Sequence, residues 1–379
     1  MTPKIAEFLN THRGETPFLV VDLDKVESNY RDLRRALPLA EIYYAVKANP
    51  AAPVLGRLVG LESSFDAASF QEVEMCLAAG ADPAAISYGN TVKKARDIAR
   101  AFAAGVRLFA FDSAGELEKL AEHAPGSRVF CRILTDNGGA DWPLSRKFGC
   151  HLEMARDLML AAAEKGLKPH GISFHVGSQQ TDPSQWEVAI GRAAMVFTDL
   201  RRRGIEVRML NLGGGFPARY RGGDVPPVDA FADAIMKAMT KHFGNDLPAM
   251  IIEPGRSITA EAGVLQTEVV LVSRKSYAAD EPRWVYFDIG KFGGLAETMD
   301  EAIRYPVDTP YGADAEMGPV IIAGPTCDGA DILYEHCGYQ LPMALKPGDK
   351  VQLLSAGAYT TTYASQGFNG FPPLSEHYI

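Results

Sequence analysis

Cysteine is scarce in this sequence, with 5 cysteines among 379 residues. None of them is spaced as a CxxC pair. Disulfide frameworks and zinc sites both need paired or clustered cysteines, so neither is expected here. We therefore predict free thiols, no metal centre and a cytoplasmic location.

Long apolar runs and an excess of positive charge are also missing. A membrane-spanning helix needs about 20 consecutive apolar residues, and no run approaches that length. Residues 1–11 lack the apolar core of a secretory signal. The formal net charge of −9 argues against a nucleic-acid partner, because such proteins present a basic surface to phosphates.

Glycine and proline, by contrast, are abundant, at 36 and 24 residues. From Lys25 to Arg256, amphipathic stretches alternate with short β-branched or aromatic runs, which predicts alternating helices and strands. The predicted helix–strand pairs are 25–37 with 42–46, 52–60 with 64–67, 70–79 with 85–88, 92–104 with 106–111, 114–123 with 128–134, 152–165 with 171–176, 184–203 with 207–212, and 228–243 with 250–253.

Eight helix–strand pairs in this length are typical of an α/β fold, a (β/α)8 barrel, with a doubly wound open sheet as the alternative. After Ile258 the long helices cease, and strands are predicted at 263–275, 283–288, 320–323 and 350–354. This change predicts a C-terminal β domain. We assign residues 25–260 to the barrel, and residues 1–24 and 261–379, including a strand at 16–22, to the β domain.

Reactive side chains recur where the predicted strands end, and barrel enzymes carry their active sites at that rim. They are Lys47, Asp66, Arg132, His175, Ser178, Gly213, Gly214, Gly215, Glu253, Gly255 and Arg256. Lys47 follows five apolar or aromatic residues. Such a wall disfavours the charged form of a lysine and makes Lys47 a candidate Schiff-base amine. The alternative is a strand-end lysine that reaches solvent.

The other rim residues fit a phosphorylated aromatic cofactor. Three consecutive glycines at 213–215 expose backbone N–H groups that can hold a phosphate, although a plain glycine-rich loop is equally consistent. Ser178 and Arg256 could add phosphate ligands. Glu253 could keep a pyridine nitrogen protonated, or simply pair with Arg256. His175 could stack on a flat ring, or be structural. An amine, a phosphate cradle, a stacking ring and an acid together describe a site for pyridoxal phosphate.

Three further clusters lie in the predicted β domain. The segment 324–331 carries Cys327 and Asp328, the segment 357–360 carries Tyr359, and the segment 368–371 carries Phe368. By themselves these segments could also be plain surface turns.

The motifs as a set resemble a known family, the alanine-racemase-fold (fold type III) decarboxylases, and within it the short bacterial ornithine/lysine decarboxylases. The similarity runs in the same order from about Thr16 to the C-terminus. The motifs that carry it are YAVKANP at 44–50, FDAAS at 65–69, FHVGS at 174–178, GGGFP at 213–217, EPGR at 253–256, GPTCDGAD at 324–331 and GAYT at 357–360.

The resemblance implies a role for each candidate. Lys47 would form a Schiff base with pyridoxal phosphate, Glu253 would pair with the ring nitrogen, and His175 would stack on the ring. Asp66 and Arg132 would lie beside the ring and its Schiff base. The phosphate ligands would be Ser178, Gly213, Gly214, Gly215, Gly255, Arg256 and Tyr359. Cys327 would protonate the substrate carbon. Asp328 would bind the distal amine, with Tyr359 and Phe368 also lining the substrate site.

The resemblance further implies a homodimer in which the turn with Cys327 and Asp328 completes the partner's barrel. The expected reaction is decarboxylation of L-ornithine to putrescine, with L-lysine as a second substrate. A second acid for the distal amine is not fixed: Asp308, or an acid within 297–301, could serve. The alternatives are a lysine-preferring or diaminopimelate decarboxylase, a racemase on the same fold, and a non-catalytic regulatory homologue.

Overall fold

The computed structural model describes residues 1–135, 140–142, 147–278, 281–312 and 314–379. The chain divides into two compact units. The barrel unit comprises Glu27–Pro217 and Val225–Gly255, and the β unit comprises Met1–Val26, Ala218–Asp224 and Arg256–Ile379.

The regular elements of the described residues are numbered along the chain. The strands are β1 Phe18–Val21, β2 Ala40–Ala45, β3 Ser64–Ala67, β4 Ile86–Tyr88, β5 Leu108–Phe111, β6 Arg128–Arg132, β7 Ala140–Trp142, β8 Lys168–Ser173, β9 Ser178–Gln180, β10 Met209–Asn211, β11 Ala249–Ile252, β12 Gly263–Ser273, β13 Arg283–Phe287, β14 Val307–Asp308, β15 Met317–Ala323, β16 Ile332–Tyr334, β17 Gln340–Pro342, β18 Lys350–Leu354 and β19 Ser375–Tyr378. The α-helices are α1 Pro3–Thr11, α2 Leu23–Ala36, α3 Ala52–Gly60, α4 Phe70–Ala78, α5 Ala95–Ala103, α6 Ala114–His123, α7 Leu152–Glu164, α8 Ser184–Arg202, α9 Val228–Phe243 and α10 Arg256–Thr259.

The barrel unit is a closed ring of parallel strands in the order β2, β3, β4, β5, β6, β8, β10 and β11, with β11 pairing β2. This confirms the predicted (β/α)8 barrel over the open sheet. A buried cluster that includes Tyr43, Leu108, Phe130 and Met209 packs together. Branched and aromatic residues fill the inside of such barrels, so the interior is a packed core rather than a pore.

The helices α4 and α6 of the barrel begin at a serine whose side chain caps the first turn. At α4, the Ser69 hydroxyl accepts the N–H of Glu72, and the Glu72 carboxylate accepts the N–H of Ala68. This reciprocal pair of bonds satisfies one N–H group that the helix start leaves without a helical partner, and it ties the residue before the cap back to the helix. It also fixes where the chain turns after β3, the strand that carries Asp66.

Several predicted strands end earlier than expected, and two of them precede reactive side chains. The strand predicted at 42–46 is β2, Ala40–Ala45, and Lys47 lies in the 3-10 turn Val46–Ala48. The strand predicted at 171–176 is β8, Lys168–Ser173, so His175 lies in the loop beyond it. The carbonyl of His175 accepts a hydrogen bond from the hydroxyl of Thr135 rather than from the backbone of a neighbouring strand. Both reactive side chains therefore stand on loop backbone at the carboxyl ends of their strands.

The β unit is built on a mixed, mostly antiparallel sheet ordered β14-β18-β12-β13-β15-β16. β1 pairs with β12 and with β19, so the predicted N-terminal strand belongs to this sheet. The helix α1 is not among the predicted elements. Its Ile5 is fully buried against Phe18 and Val20. Among the described residues, no helix has the length and hydrophobicity needed to cross a bilayer.

Candidate active site

Lys47 lies in a short turn that buried neighbours hold in place. The hydroxyl of Tyr44, fully buried, donates to the carbonyl of Asn49 at 2.9 Å. The Asn49 side chain in turn accepts the N–H of Ala51 at 3.2 Å, just before α3. These bonds fix the backbone on both sides of Lys47, whose side chain is exposed. The amine is thus presented from a rigid base.

Asp66, at the end of β3, is a buried carboxyl with unused bonding capacity. It is 5 % exposed, and its Oδ1 has no hydrogen-bond partner among the described residues. Burial and the nearby Glu253 raise its pKa well above the ordinary value, against the lowering effect of Lys47. A side-chain carbon at Gly89 would lie 1.9 Å from this oxygen, so glycine there makes room for the carboxyl. A buried oxygen without a partner fits a site whose ligand supplies one.

His175 carries an uncharged ring. The N–H of Gly177 donates to its Nδ1 at 3.0 Å, so the proton of the neutral ring resides on Nε2. Burial lowers the pKa of His175 well below the ordinary value, and the positive charges of Arg132 and Lys47 lower it further. The result is a flat, neutral surface within the cluster.

The three glycines after β10 form a tightly packed loop. A Cβ at Gly213, where φ is +67°, would lie 2.3 Å from the carbonyl oxygen of Phe174. A Cβ at Gly214 would lie 2.5 Å from the carbonyl oxygen of Glu253 and 3.3 Å from His175 Nε2. Side chains are excluded at both positions, so bare backbone lies against the histidine ring. This is the packing that a phosphate cradle requires.

Asn211, at the end of β10, connects the glycine loop to Glu253. Its Nδ2 donates to Glu253 Oε1, and its Oδ1 accepts the N–H of Gly213 at 2.9 Å. It is 1 % exposed. This residue is not among the sequence-predicted site residues, although an asparagine at the end of an apolar strand is the signal that could have identified it.

Arg132, on β6, places a guanidinium among the carboxylates of the barrel. Burial lowers its pKa, while the negative charges of Glu253, Asp112 and Asp66 act in the opposite direction. Its guanidinium carbon lies 5.2 Å from the centre of the Phe148 ring. The barrel therefore gathers Lys47, Asp66, Arg132, His175, Glu253 and the glycine loop into one electrostatically linked cluster.

Arg256 belongs to the β unit, where it binds a carboxylate that the sequence did not assign to it. Both terminal nitrogens donate to the two oxygens of Glu297, at 2.7 and 2.5 Å, and Nη1 donates to the Tyr220 hydroxyl at 3.0 Å. Arg256 is 3 % exposed, and its guanidinium lies 4.9 Å from the centre of the Tyr359 ring. Arg256 and Tyr359, both predicted phosphate ligands, are thus neighbours.

The segment 324–331 of the β unit forms a turn with an exposed tip. Cys327 and Asp328 are exposed. Asp331 is 2 % exposed and accepts the N–H of Lys291 at 2.7 Å together with the N–H and hydroxyl of Thr326, at 3.1 and 2.7 Å. A buried carboxylate therefore fixes the base of the turn while the reactive pair stands at its end.

The remaining predicted residues have clear places. Ser178 begins β9, which pairs with β7 in a small two-stranded sheet. A Cβ at Gly255 would lie 2.8 Å from the Ala48 side chain, so glycine lets the chain pass the Lys47 turn. The ring of Phe368 lies 5.0 Å from that of Phe292 in the β unit.

The residues of the barrel unit fit pyridoxal phosphate. The Lys47 amine, the glycine loop without room for a Cβ, the neutral histidine ring and the oriented Glu253 carboxylate match the amine, phosphate cradle, stacking ring and acid that this cofactor needs. The partnerless Asp66 oxygen fits a ligand that supplies its missing hydrogen bond. No other common cofactor combines an aldehyde, a basic ring nitrogen and a phosphate.

Comparison with known proteins agrees with this chemistry. Residues 23–260 match the pyridoxal binding domain of the pyridoxal-dependent decarboxylases. The chain is 38% identical over 359 residues to a lysine/ornithine decarboxylase of Selenomonas ruminantium, covering 95% of this chain and 88% of that protein. It is 34% identical over 368 residues to the ornithine decarboxylase of Schizosaccharomyces pombe, covering 93% and 81%.

A solved structure is similar over the whole chain. The lysine/ornithine decarboxylase of Vibrio vulnificus, complexed with cadaverine, superimposes with a TM-score of 0.88 at 30% identity, covering 100% of this chain and 99% of that one. Identity of this level over nearly full length, together with the domain match, identifies the family. The chain belongs to the pyridoxal-dependent decarboxylases.

Proposed function

We propose that this chain removes the α-carboxylate of L-ornithine as carbon dioxide to yield putrescine, and also accepts L-lysine, which yields cadaverine. The observation that carries the proposal is the cluster at the carboxyl ends of the barrel strands, which joins an exposed Lys47 to a neutral His175 and to Glu253 beside the glycine loop. The names of the relatives supply the diamino-acid class.

The barrel residues would hold the cofactor and set its charge. The bound cofactor would supply an aldehyde for the amino group of the substrate and an electron-withdrawing ring that would stabilise the α-carbon as carbon dioxide leaves. Lys47 would hold the cofactor before substrate arrives. Asn211 binds Glu253 Oε1, so Oε2 is the oxygen that would accept the ring N–H. His175 would cover the ring without adding a positive charge, because its Nδ1 accepts the N–H of Gly177.

The β unit would supply the phosphate-binding Arg256 and Tyr359 and the residues that finish the reaction. Cys327 would protonate the α-carbon, and Asp328 would bind the distal ammonium group. The exposure of both side chains at the tip of a turn supports their use by another subunit. We therefore propose a homodimer in which this turn completes the partner's site, together with a cytoplasmic location, which free cysteines support.

The acids considered for the distal amine are not equivalent. Glu297 is committed to Arg256 by two charge-assisted bonds. Glu301 accepts the backbone N–H groups of Glu335 and His336, both at 2.6 Å. Using either would leave buried or backbone donors without partners, at a cost of about 1–3 kcal/mol. Asp308 and Asp300 are exposed and carry no such commitment to a buried arginine, so they are better placed than Glu297 or Glu301 to serve as the second acid beside Asp328.

The proposed role of Lys47 is tested by Lys47→Ala. The wild-type protein supplied with pyridoxal phosphate should show the visible absorbance of a lysine-bound cofactor, and the variant should not. Carbon dioxide release should fall by about 10³-fold or more, since covalent catalysis is lost. A wild-type protein that takes up no cofactor would refute the proposal.

The substrate class is tested by measuring kcat/KM for ornithine, lysine, diaminopimelate and arginine side by side. Ornithine and lysine should lead, because the distal carboxylate of diaminopimelate would be repelled by Asp328. Asp328→Ala should cost both diamino acids about 2–5 kcal/mol in kcat/KM by leaving the ammonium group unpaired. Carbon dioxide release from none of the four would indicate a non-catalytic homologue, and racemised residual substrate would indicate a racemase.

A further inference from the structure

Asn369 touches both the backbone and the sulfur of Cys327. The N–H of Cys327 donates to Asn369 Oδ1 at 2.9 Å, and Asn369 Nδ2 contacts Cys327 Sγ at 3.2 Å. The orientation of the amide is fixed by chemistry. A backbone N–H can only donate, so the amide oxygen must face it and the amide nitrogen must face the sulfur.

This orientation decides what happens to the thiol proton. The amide nitrogen is a donor without a lone pair to offer, so the sulfur accepts the bond and does not give its own proton to Asn369. The S–H proton is left for another acceptor. A carboxylate or carbonyl in the same place would instead accept the thiol proton and turn it away from any substrate.

The loop of Asn369 is shaped to present this amide. Asn369 has a φ of +49° and stands between Gly367 and Gly370, whose φ values are +74° and +75°. Asparagine is among the few residues that adopt this left-handed region at small cost. Phe368 anchors the loop through its contact with Phe292. The left-handed conformations of this loop place the Asn369 amide against Cys327.

The opposite end of the turn is held independently. Asp331 binds Thr326 and Lys291, and it packs where side chains at Gly290 and Gly324 would lie 2.1 and 2.3 Å from its oxygens. The base of the turn therefore does not need Asn369 to keep its conformation. Removal of the amide should act mainly on the tip.

We propose that Asn369 is a positioning residue for Cys327: it orients the thiol so that its proton is delivered to the substrate α-carbon after carbon dioxide leaves. The proposal rests on the proposed function, in which Cys327 is the proton donor. Protonation away from the α-carbon, followed by hydrolysis, would release a different pair of products. The products are then an aminoaldehyde and the amine form of the cofactor, in place of the diamine.

The informative variant is Asn369→Asp. Its carboxylate can still accept the N–H of Cys327 but cannot donate to the sulfur, so the loop contact is kept and the thiol orientation is lost. Asn10→Asp, at an exposed position of α1 in the same unit, makes the same change of charge elsewhere and is the matched control. Asn369→Ala removes both contacts.

The test measures, in the holoenzyme, the ratio of aldehyde to diamine formed from ornithine. Asn369→Asp should raise this ratio about tenfold or more with KM nearly unchanged, since a positioned acid contributes about 10²–10⁴-fold and a misoriented thiol would lose part of that effect. Cys327→Ala should raise the ratio too, and the double variant should be no worse than Cys327→Ala alone. If Asn369 only kept its loop folded, Asn369→Ala would raise KM and lower the melting temperature.

A second measurement needs no turnover. Iodoacetamide alkylates the thiolate of Cys327, quantified by mass spectrometry of its peptide, and the negative charge introduced by Asn369→Asp should slow the reaction severalfold while Asn10→Asp does not. Unchanged product ratio in Asn369→Asp, or multiplicative effects in the double variant, would overturn the proposal. Absence of carbon dioxide release by the wild type would instead refute the proposed function. The alkylation rates would still test whether Asn369 contacts the Cys327 thiol.

Discussion

At the scale of single residues, the site depends on groups that hold reactive side chains as much as on the reactive side chains themselves. Lys47, His175 and Glu253 are recognisable in the sequence because their types carry chemistry. Asn211 is not, because an asparagine has no chemistry of its own here. Its importance comes from contacting Glu253 and Gly213, which are 42 and 2 residues away in the chain.

The contribution of Asn211 can be measured with Asn211→Leu, which keeps most of the volume and removes both hydrogen bonds. Glu253 loses its orientation and the N–H of Gly213 loses its acceptor, so affinity for pyridoxal phosphate should fall about 10–100-fold, as for other residues that orient ligands. Absorbance titration of the cofactor-free protein gives the dissociation constant. Gln266→Leu, which removes a buried amide bonded to Gln352 in the β unit, should leave it unchanged. Equal affinities for the wild type and Asn211→Leu would contradict this role.

At the scale of elements, the barrel contains an ion pair that its catalytic cluster does not use. Lys93, between β4 and α5, is 4 % exposed and lies 2.9 Å from Glu116 on α6. Its amine also donates to the carbonyls of Asn90 and Ala110, at 2.7 and 2.6 Å. The lysine thereby connects β5 to the starts of two helices on the outside of the barrel.

Burial lowers the pKa of Lys93 to about 8 from 10.5, although Glu116 acts in the opposite direction. Between these two pH values the unfolded chain holds a proton that the folded chain has released. Stability therefore rises with pH across this window, and the gain is lost as the pH falls through 8. Compared with Lys93→Met, the wild type should gain about 3 kcal/mol in the free energy of unfolding from pH 8 to 10.5. Urea unfolding at several pH values measures this, and parallel curves for the two proteins would refute it.

Most element boundaries were predictable because helix and strand periodicities are local. The helices α3, α6 and α9 match their predictions residue for residue. The exceptions arise where the tertiary structure intervenes. β8 ends at Ser173, and beyond it the carbonyl of His175 accepts a side-chain hydroxyl, that of Thr135. The helix α1 is stabilised by burying Ile5 against β1, a contact with no local signature.

At the scale of the whole molecule, the two units carry different parts of the proposed chemistry. The barrel unit holds Lys47 and Glu253, and the β unit holds Cys327 and Asp328. The domain limits drawn from the sequence, at 25 and 260, stay a proposal. The sharing of the active site between subunits is also a proposal, and it predicts how much activity a mixture of two variants recovers.

Mixing Lys47→Ala chains, which are inactive, with Cys327→Ala chains, which form little diamine, should restore diamine formation if each site takes its lysine and its cysteine from different subunits. Random exchange makes about half of the dimers mixed, and each mixed dimer has one intact site, so about a quarter of wild-type activity should return. The matched control mixes Lys47→Ala with Glu253→Ala, both in the barrel unit, and should restore none. Failure of the first mixture after verified subunit exchange would refute the shared site.

The sequence by itself determined the barrel, the β domain and the pyridoxal phosphate cofactor, because periodicity and residue type are properties of short segments. The glycines at 213–215 already indicated bare backbone at the rim. Only the tertiary structure decided which groups bind one another: Asn211 with Glu253, Glu297 with Arg256, and Asn369 with Cys327. These pairs are 41 or 42 residues apart in the chain. Their formation depends on how distant loops meet, which no local pattern encodes.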